Sequence, residues 1–292
     1  MQYLDIAVNI PLNQTFSYSS DAAENDEKAP AIGKRAEIRF GNRKTTGFIV
    51  GIHSNLPANC PVDSGKIKSV TRILDAEPLF DNDLLELAKW MSNYYLCSIG
   101  EAIGAMIPSG RRDSDAGGFS FTEEVPDTKP KILSDEQKAA VEGIFAKPVN
   151  PVYGRSGNLH YVYGTTGSGK TEVFLQAAER VLKQEKGVIY LVPEIGLTHQ
   201  VIEAFAERFG NTVAVLHLGL TPSQRLSEWH RIQHKEARVV IGARSAIFAP
   251  VPDLGIIIID EEHDASYKSG TTPRYHGRQV AMYRASRLSI PL

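Results

Sequence analysis

At 292 residues, 42% hydrophobic and 23% charged, the chain exceeds a single typical domain and has ordinary globular composition, which predicts two domains. A formal net charge of −2 supplies no whole-chain attraction for a polyanion, and the two cysteines, Cys60 and Cys97, lack CxxC spacing, which excludes a disulfide framework and a cysteine-built zinc site. Apolar runs are short and Met1 to Asp5 carries no basic n-region ahead of an apolar core, so the sequence predicts no signal peptide, no membrane span and a cytoplasmic location.

Between Tyr3 and about Ile52, apolar residues alternate with others: Leu4, Ile6 and Val8, then Ala36, Ile38 and Phe40, then Phe48, Val50 and Ile52. That period of two predicts short antiparallel strands, with turns near Gly33 and at Gly41-Asn42. The acidic, polar stretch Ser19 to Ala31 reads as a loop. Lys34, Arg35, Arg39, Arg43 and Lys44 crowd one hairpin against the single acid Glu37, either as a solvated face or as a local grip for a polyanion. After Pro78, Leu84, Leu87, Ala88, Met91, Tyr94 and Tyr95 recur at helical spacing. They predict a helix whose aromatics join the core, with Asp83 and Glu86 as its capping pair.

Pro108 to Pro130 breaks the periodicity with Ser109, Gly110, Gly117, Gly118, Glu123, Glu124 and Pro126, the composition of a linker. The predicted organisation is a small mainly-β N-terminal domain over 1–108, a linker over 109–130 and a second domain over 131–292. In the second domain strands are expected at Leu159–Tyr163, Val188–Val192, Val213–His217, Val239–Ala243 and Gly255–Ile259. Helices are expected to begin near Lys170, Gly196 and Pro222. Alternation of strand and helix is the mark of the α/β class: a parallel sheet between helices, with phosphate sites at strand C-termini, as in the RecA-like lobe of P-loop motors.

Gly164, Thr165, Thr166, Gly167, Ser168, Gly169, Lys170 and Thr171 follow an apolar stretch. This is the pattern whose backbone N–H groups curl around phosphate oxygens at a helix N-terminus. Lys170 reaches the β- and γ-phosphates as a point charge, and the Thr171 hydroxyl ligates Mg²⁺. About ninety residues later Ile256 to Ile259 run into Asp260, Glu261, Glu262 and His263. Asp260, at the tip of its strand, is placed to hold the same Mg²⁺, and Glu261 to polarise the attacking water. Together the two signatures describe an ATP-hydrolysing machine with ATP and Mg²⁺ as cofactors.

GTTGSGKTEVF, LVPEIGLTHQ, GARSAIFAP and IIIIDEEHDASYK with PRYHGRQVA resemble the first motor lobe of the PriA family of bacterial replication-restart helicases, also called primosomal protein N′. YLDIAVNIPLNQTFSY, KRAEIRFGNRKTTGFIVG and LLELAKWMSNYYLCSIGEAIGAMIP carry the likeness through the N-terminal half. The resemblance implies a superfamily 2 DNA helicase that binds stalled or abandoned forks, translocates 3′ to 5′ on single-stranded DNA and assists primosome assembly. Its implied partners are forked and single-stranded DNA, primosome loading proteins and single-stranded-DNA-binding protein. It implies adenine recognition by Gln137 within LSDEQ, although Ser134, Asp135 and Glu136 also make an ordinary helix start. It implies a pocket for the 3′ end of DNA at Phe16, Gly41 and Lys68, which offer stacking, close backbone approach and phosphate neutralisation. Without the resemblance Phe16 reads as a core residue. On the motor lobe it implies DNA contacts by Arg244 and Ser245 and by the aromatic-rich run Tyr267, Lys268, Arg274 and Tyr275, which follows Glu261 closely. A solvated loop is the other reading of that run.

The chain also departs from the pattern. Ser17 stands where the family has aspartate, Leu218 where it has serine, and His199 where it has proline. Only about twenty-five residues separate Ile107 from Leu133, so the family's winged-helix domain is expected to be missing. The sequence stops at Leu292, before the family's third motor motif and its second lobe. That lobe carries arginine fingers, commonly worth about 10³ to 10⁵ in rate, and a cysteine-rich zinc site, so slow hydrolysis and no zinc are expected of this chain. Two other readings stand beside the helicase: a truncated, non-catalytic fork- or 3′-end-binding module, and another superfamily 2 DNA translocase.

Overall fold

The computed structural model describes residues 1–21, 29–57, 64–110, 131–146, 159–165, 167–194, 199–217 and 219–292. Cys60, Thr166, Leu218, the helix start expected at Gly196 and linker residues 111–130 lie outside them. The chain divides into two units, Met1–Ile107 with Gly270–Arg274, and Pro108–Ser269 with Tyr275–Leu292.

In the first unit β1 (Gln2–Val8), β2 (Phe16–Ser20), β3 (Arg35–Phe40), β4 (Arg43–His53) and β5 (Arg72–Ile73) form one sheet in the order β2-β1-β4-β3-β5. Every pairing is antiparallel. Alternation puts Leu4, Ile6, Val8, Tyr18, Ala36, Ile38 and Ile49 into one apolar cluster, which is the face a period of two buries. The strand β2, within FSYSS, was not among those expected; its serines hide the pattern. Residues 68–73 connect the two outer strands. Ser19 N donates to Lys68 O and Val70 N to Ser19 O on the β2 side, and Thr71 N donates to Glu37 O on the β3 side. The outer side of β2 therefore finds backbone partners at residues 68–70, and that of β3 at residues 71–74, so neither is an open template for mispairing.

Helix α1 (Asn82–Tyr95) is capped by Asp81, whose extended backbone lets its carboxylate accept from Leu84 N at 2.9 Å. This replaces the expected Asp83 and Glu86 pair; Glu86 instead meets Lys89. Leu84, Leu87, Ala88 and Met91 are buried as the spacing requires, but Tyr94 is 55% exposed and stacks on Trp90 along the helix surface. A second helix, α2 (Ile99–Met106), starts from a capping box of Ser98 and Glu101, and Ser98 Oγ donates to Ile10 O just past β1. The cationic hairpin is also corrected. Lys34 is buried with its ammonium on Ala29 O, and Arg35 is buried against Asp75 at 2.7 Å. Charges drawn inside in this way must be paired, and Arg39 and Arg43 are left as the exposed cations of the group, with Lys44 beside Glu37.

The second unit holds α3 (Asp135–Phe145), α4 (Lys170–Leu182), β6 (Gly187–Leu191), α5 (His199–Phe209), β7 (Val213–Leu216), α6 (Pro222–Gln233), β8 (Val239–Gly242), β9 (Leu254–Ile259) and α7 (Gly277–Leu288). Its sheet runs β7-β8-β6-β9, all parallel. Runs such as GVIYL and VAVL are buried throughout, as expected of strands covered on both faces. Thr221 and Gln224 form the capping box ahead of Pro222. Four of the five expected strands form. The fifth, Leu159–Tyr163, forms no strand, and Leu159, Tyr161 and Tyr163 are exposed. A cleft separates it from β9, and the chain's last residues lie between the two: Ile257 N donates to Pro291 O and His160 N to Leu292 O. Apolar content alone cannot make a strand; a neighbour at hydrogen-bonding distance must supply the ladder.

Candidate functional site

The glycine-rich loop turns directly into α4. Its N-cap, Gly169, is left-handed at φ +82° and offers no side-chain cap. The first N–H groups of α4 are thus open to an anion, which the positive end of the helix dipole also favours. A Cβ at Gly169 would lie 2.4 Å from Gln137 Nε2, the movable end of a side chain, so it is the left-handed backbone that favours glycine there. Gln137 completes a capping box with Ser134 and donates through Nε2 to Ser168 O at 3.1 Å. The helix-start reading is the one seen: Gln137 is part of the cap of α3, and its side chain also touches the phosphate loop. Lys170 Nζ donates to Gly164 O at 2.6 Å and to Thr165 O at 3.1 Å. Thr171 is exposed in the first turn of α4. Of the loop residues named from sequence, Gly164, Thr165, Gly167, Ser168 and Gly169 are described and Thr166 is not.

Across from the loop, Asp260 follows β9. Lys170 and Gly164 line the same cleft of about 620 Å³ as Asp260, Glu261, Glu262 and His263. The register explains this juxtaposition, since β9 lies beside β6 and its C-terminal end opens on the edge where the loop-helix turn sits. Asp260 is held from several sides. Its main-chain N donates to Leu191 O at 2.9 Å, Glu261 N donates to Oδ1 at 3.0 Å, and the Tyr190 hydroxyl donates to Oδ2 at 2.7 Å. Burial and the Asp260 charge push the Tyr190 phenol well above its ordinary range, so it remains a donor. Glu261 is exposed at the cleft mouth with φ +45°, and His263 Nε2 lies 3.7 Å from it. Glu262 pairs with Arg278 at 2.5 Å. A carboxylate and a lysine that share one cleft, next to a helix whose first turn carries the exposed Thr171 hydroxyl, make a donor set that fits a Mg²⁺-nucleotide.

Sequence reasoning missed Tyr190 and the His160 side chain, whose Nε2 is buried without a hydrogen-bond partner. Tyr190 left a legible signal, a hydroxyl-bearing side chain in an otherwise aliphatic buried strand.

The residues named for DNA contact fall into three places. In the first unit Phe16 packs edge-on to Phe40, with centroids 4.8 Å apart, and Gly41 follows Phe40 at φ +57° with open space around it. Lys68 is exposed, and its carbonyl accepts from Ser19 beside β2. Ser17 stands directly across from Asp5 and donates to it at 3.5 Å. In the second unit Arg244 and Ser245 open a 3-10 turn after β8, with Ser245 exposed. Arg244 donates to Ser266 O and Lys268 O, tying that turn to the segment after β9. Lys268 is exposed, as is Arg274 in the segment that belongs to the first unit, whereas Tyr267 and Tyr275 are buried. Tyr275 lies beneath the Arg244 guanidinium and edge-on to Phe248. The two aromatic rings are therefore packed within the lobe rather than presented for stacking.

Known proteins share both parts of this arrangement. The family model described as 3′DNA-binding domain (3′BD) of PriA matches residues 5–108, and that of DEAD/DEAH box helicase matches residues 136–286. The chain is 46% identical over 289 residues to "Replication restart protein PriA" of Treponema pallidum, covering 99% of this chain and 43% of that relative. It is 49% identical over 165 residues to the protein of the same name from Bacillus subtilis, covering 56% and 20%, and 31% identical over 359 residues to that of Haemophilus influenzae, covering 99% and 48%. The chain thus spans less than half the length of these relatives. Among the described residues no helix is long and apolar enough to cross a membrane.

Proposed function

The chain belongs to the DEAD/DEAH box helicase family, and from that premise we propose that it forms the DNA-end-binding domain and first motor lobe of an ATP-dependent replication-restart helicase. The observation that carries this reading is the shared cleft of Lys170 and Asp260 at the end of a parallel sheet, in a chain whose residues 5–108 match a 3′ DNA-binding module. Mg·ATP, when bound, would supply the phosphoanhydride and a divalent charge to offset that of its phosphates. The Lys170 ammonium exchanges its loop carbonyls for phosphate oxygens, and the α4 N-terminus donates backbone N–H groups beside it. Thr171 and Asp260 would hold the Mg²⁺. Glu261, one residue beyond Asp260 and at the cleft mouth, orients a water and accepts its proton. Gln137 recognises the adenine edge with the N–H it does not give to Ser168.

In the first unit Phe16, Gly41 and Lys68 hold the 3′ end of a DNA strand. Arg244, Ser245 and Lys268 contact the tracked strand in the lobe, Arg274 contacts DNA from the segment that belongs to the first unit, and Tyr267 and Tyr275 transmit the lobe's contact to Asp260 and Glu261. The activity runs 3′ to 5′ and serves forks and primosome assembly, with single-stranded-DNA-binding protein and loading proteins as partners.

The test is ATP hydrolysis by the full-length enzyme with and without forked DNA. Hydrolysis rises with forked DNA and falls by at least about 100-fold on Lys170→Ala. An activity indifferent to DNA overturns the helicase reading. Binding to forks ending in a 3′-hydroxyl or a 3′-phosphate tests the end pocket, and equal affinity for both rejects it.

A further inference from the structure

Tyr190 is the centre of an arrangement that the nucleotide site alone does not require. It lies in β6 beside Val188, Ile189 and Leu191, fully buried, with its ring 4.6 Å from Phe205 and 6.1 Å from Phe174. An aliphatic side chain would serve that packing. A phenol brings a hydroxyl into the core, which is costly without a partner, and the partner it finds is Oδ2 of Asp260 at 2.7 Å. Oδ1 of the same carboxylate accepts from Glu261 N at 3.0 Å. One donor on each oxygen fixes rotation about the terminal torsion, which is otherwise broad for aspartate.

We propose that Tyr190 is a positioning residue for the metal carboxylate: its buried hydroxyl locks Asp260 in the one orientation that directs the remaining lone pairs into the cleft, toward Mg²⁺. This rests on the reading of the cleft as a Mg²⁺-nucleotide site. Partners of this kind, one shell behind a ligand, typically alter metal affinity by about 10- to 100-fold when removed.

The experiment titrates the 292-residue chain with ATP carrying a fluorescent ribose group, across a Mg²⁺ series and in EDTA. Tyr190→Phe retains the ring and deletes only the hydroxyl. Its expected result is unchanged affinity in EDTA, a melting midpoint close to that of the parent, and a Mg²⁺ concentration for half-maximal tightening raised about tenfold. Asp260→Ala alone and Asp260→Ala with Tyr190→Phe show the same Mg²⁺ requirement, because a residue acting through another adds nothing once that other is gone. Phe205→Leu disturbs the ring packing without touching the hydroxyl and leaves the Mg²⁺ requirement in place. A parental Mg²⁺ requirement in Tyr190→Phe overturns the inference while leaving the nucleotide site standing. So does an equal shift in Phe205→Leu, or loss of the fold in Tyr190→Phe, either of which assigns Tyr190 to packing. Nucleotide binding by the parent that ignores Mg²⁺ removes the site reading and this inference together.

Discussion

The hydroxyl of Tyr267 donates to the main-chain oxygen of Asp260 at 2.7 Å, although the two residues lie in different elements, a 3-10 turn and the end of β9. Tyr267 is fully buried, with its phenol pushed above its ordinary range first by burial and then by Asp260 and its neighbouring carboxylates. The turn is held by Asp264, whose side chain accepts from Ser266 N, and by Arg244, which donates to Ser266 O and Lys268 O. A continuous set of contacts therefore joins the turn after β8, the segment after β9 and the acidic residues of the cleft.

Tyr267→Phe keeps the ring and leaves the Asp260 carbonyl short of a donor. The expected cost is about 1 to 2 kcal/mol, read as a lower urea midpoint with an unchanged slope. If the proposed DNA-stimulated hydrolysis holds, the same substitution is expected to weaken that stimulation more than it weakens nucleotide affinity. An unchanged stimulation ratio would separate the turn from the proposed coupling.

Two glycine positions give opposite signs. Gly169→Ala places a methyl group 2.4 Å from Gln137 Nε2 at φ +82°, and nucleotide affinity is expected to fall by at least about tenfold. Gly143 sits within α3 with open space about it. Gly143→Ala is expected to stabilise by about 0.5 to 1 kcal/mol, seen as a higher melting temperature with nucleotide affinity unaltered.

In the first unit Arg35 and Asp75 are both buried and lie 2.7 Å apart. Asp75→Ala takes the carboxylate from beside the guanidinium, at an expected cost of about 3 to 5 kcal/mol. Melting of the first unit should drop while the second unit keeps its own transition. Loss of less than about 1 kcal/mol would show that water reaches the guanidinium and screens it.

His160 supplies a pH dependence. Burial holds its imidazole below the ordinary value of 6.5, and its Nε2 atom is buried without a partner. The folded chain binds a proton less readily than the unfolded chain there, so stability is retained above about pH 6.5 and declines as acidification passes below it toward the depressed folded value. His217 and His276 are shifted the same way, also first by burial. Melting temperature is expected to fall between pH 7.5 and 5.5, and His160→Asn to flatten the slope. A slope unaltered by that substitution would assign the acid sensitivity to the other two histidines.

The residues that meet at the cleft were legible because they lie in short, contiguous runs. Glycines at fixed spacing, a lysine at a helix start and acids after an apolar strand each act through local backbone geometry. The parallel strands were legible for a related reason, since burial on both faces leaves uninterrupted apolar runs. Legibility failed where a residue's state depends on a distant partner. Lys34 and Arg35 looked like surface charge until Ala29 and Asp75 were found beside them. Asp83 looked like a cap because spacing cannot register which residue adopts the extended backbone that Asp81 has.

The amino-acid order by itself determined the α/β lobe, the preceding antiparallel domain and the residue types available for phosphate and metal. Tertiary structure alone decided that Leu159–Tyr163 lacks a ladder, that Tyr267 and Tyr275 face inward, and that the Tyr190 hydroxyl meets Asp260 seventy positions away. The division has one cause: a periodic pattern reports which face of an element is apolar, whereas a ladder, a buried hydroxyl or an ion pair exists only when a second segment arrives to complete it.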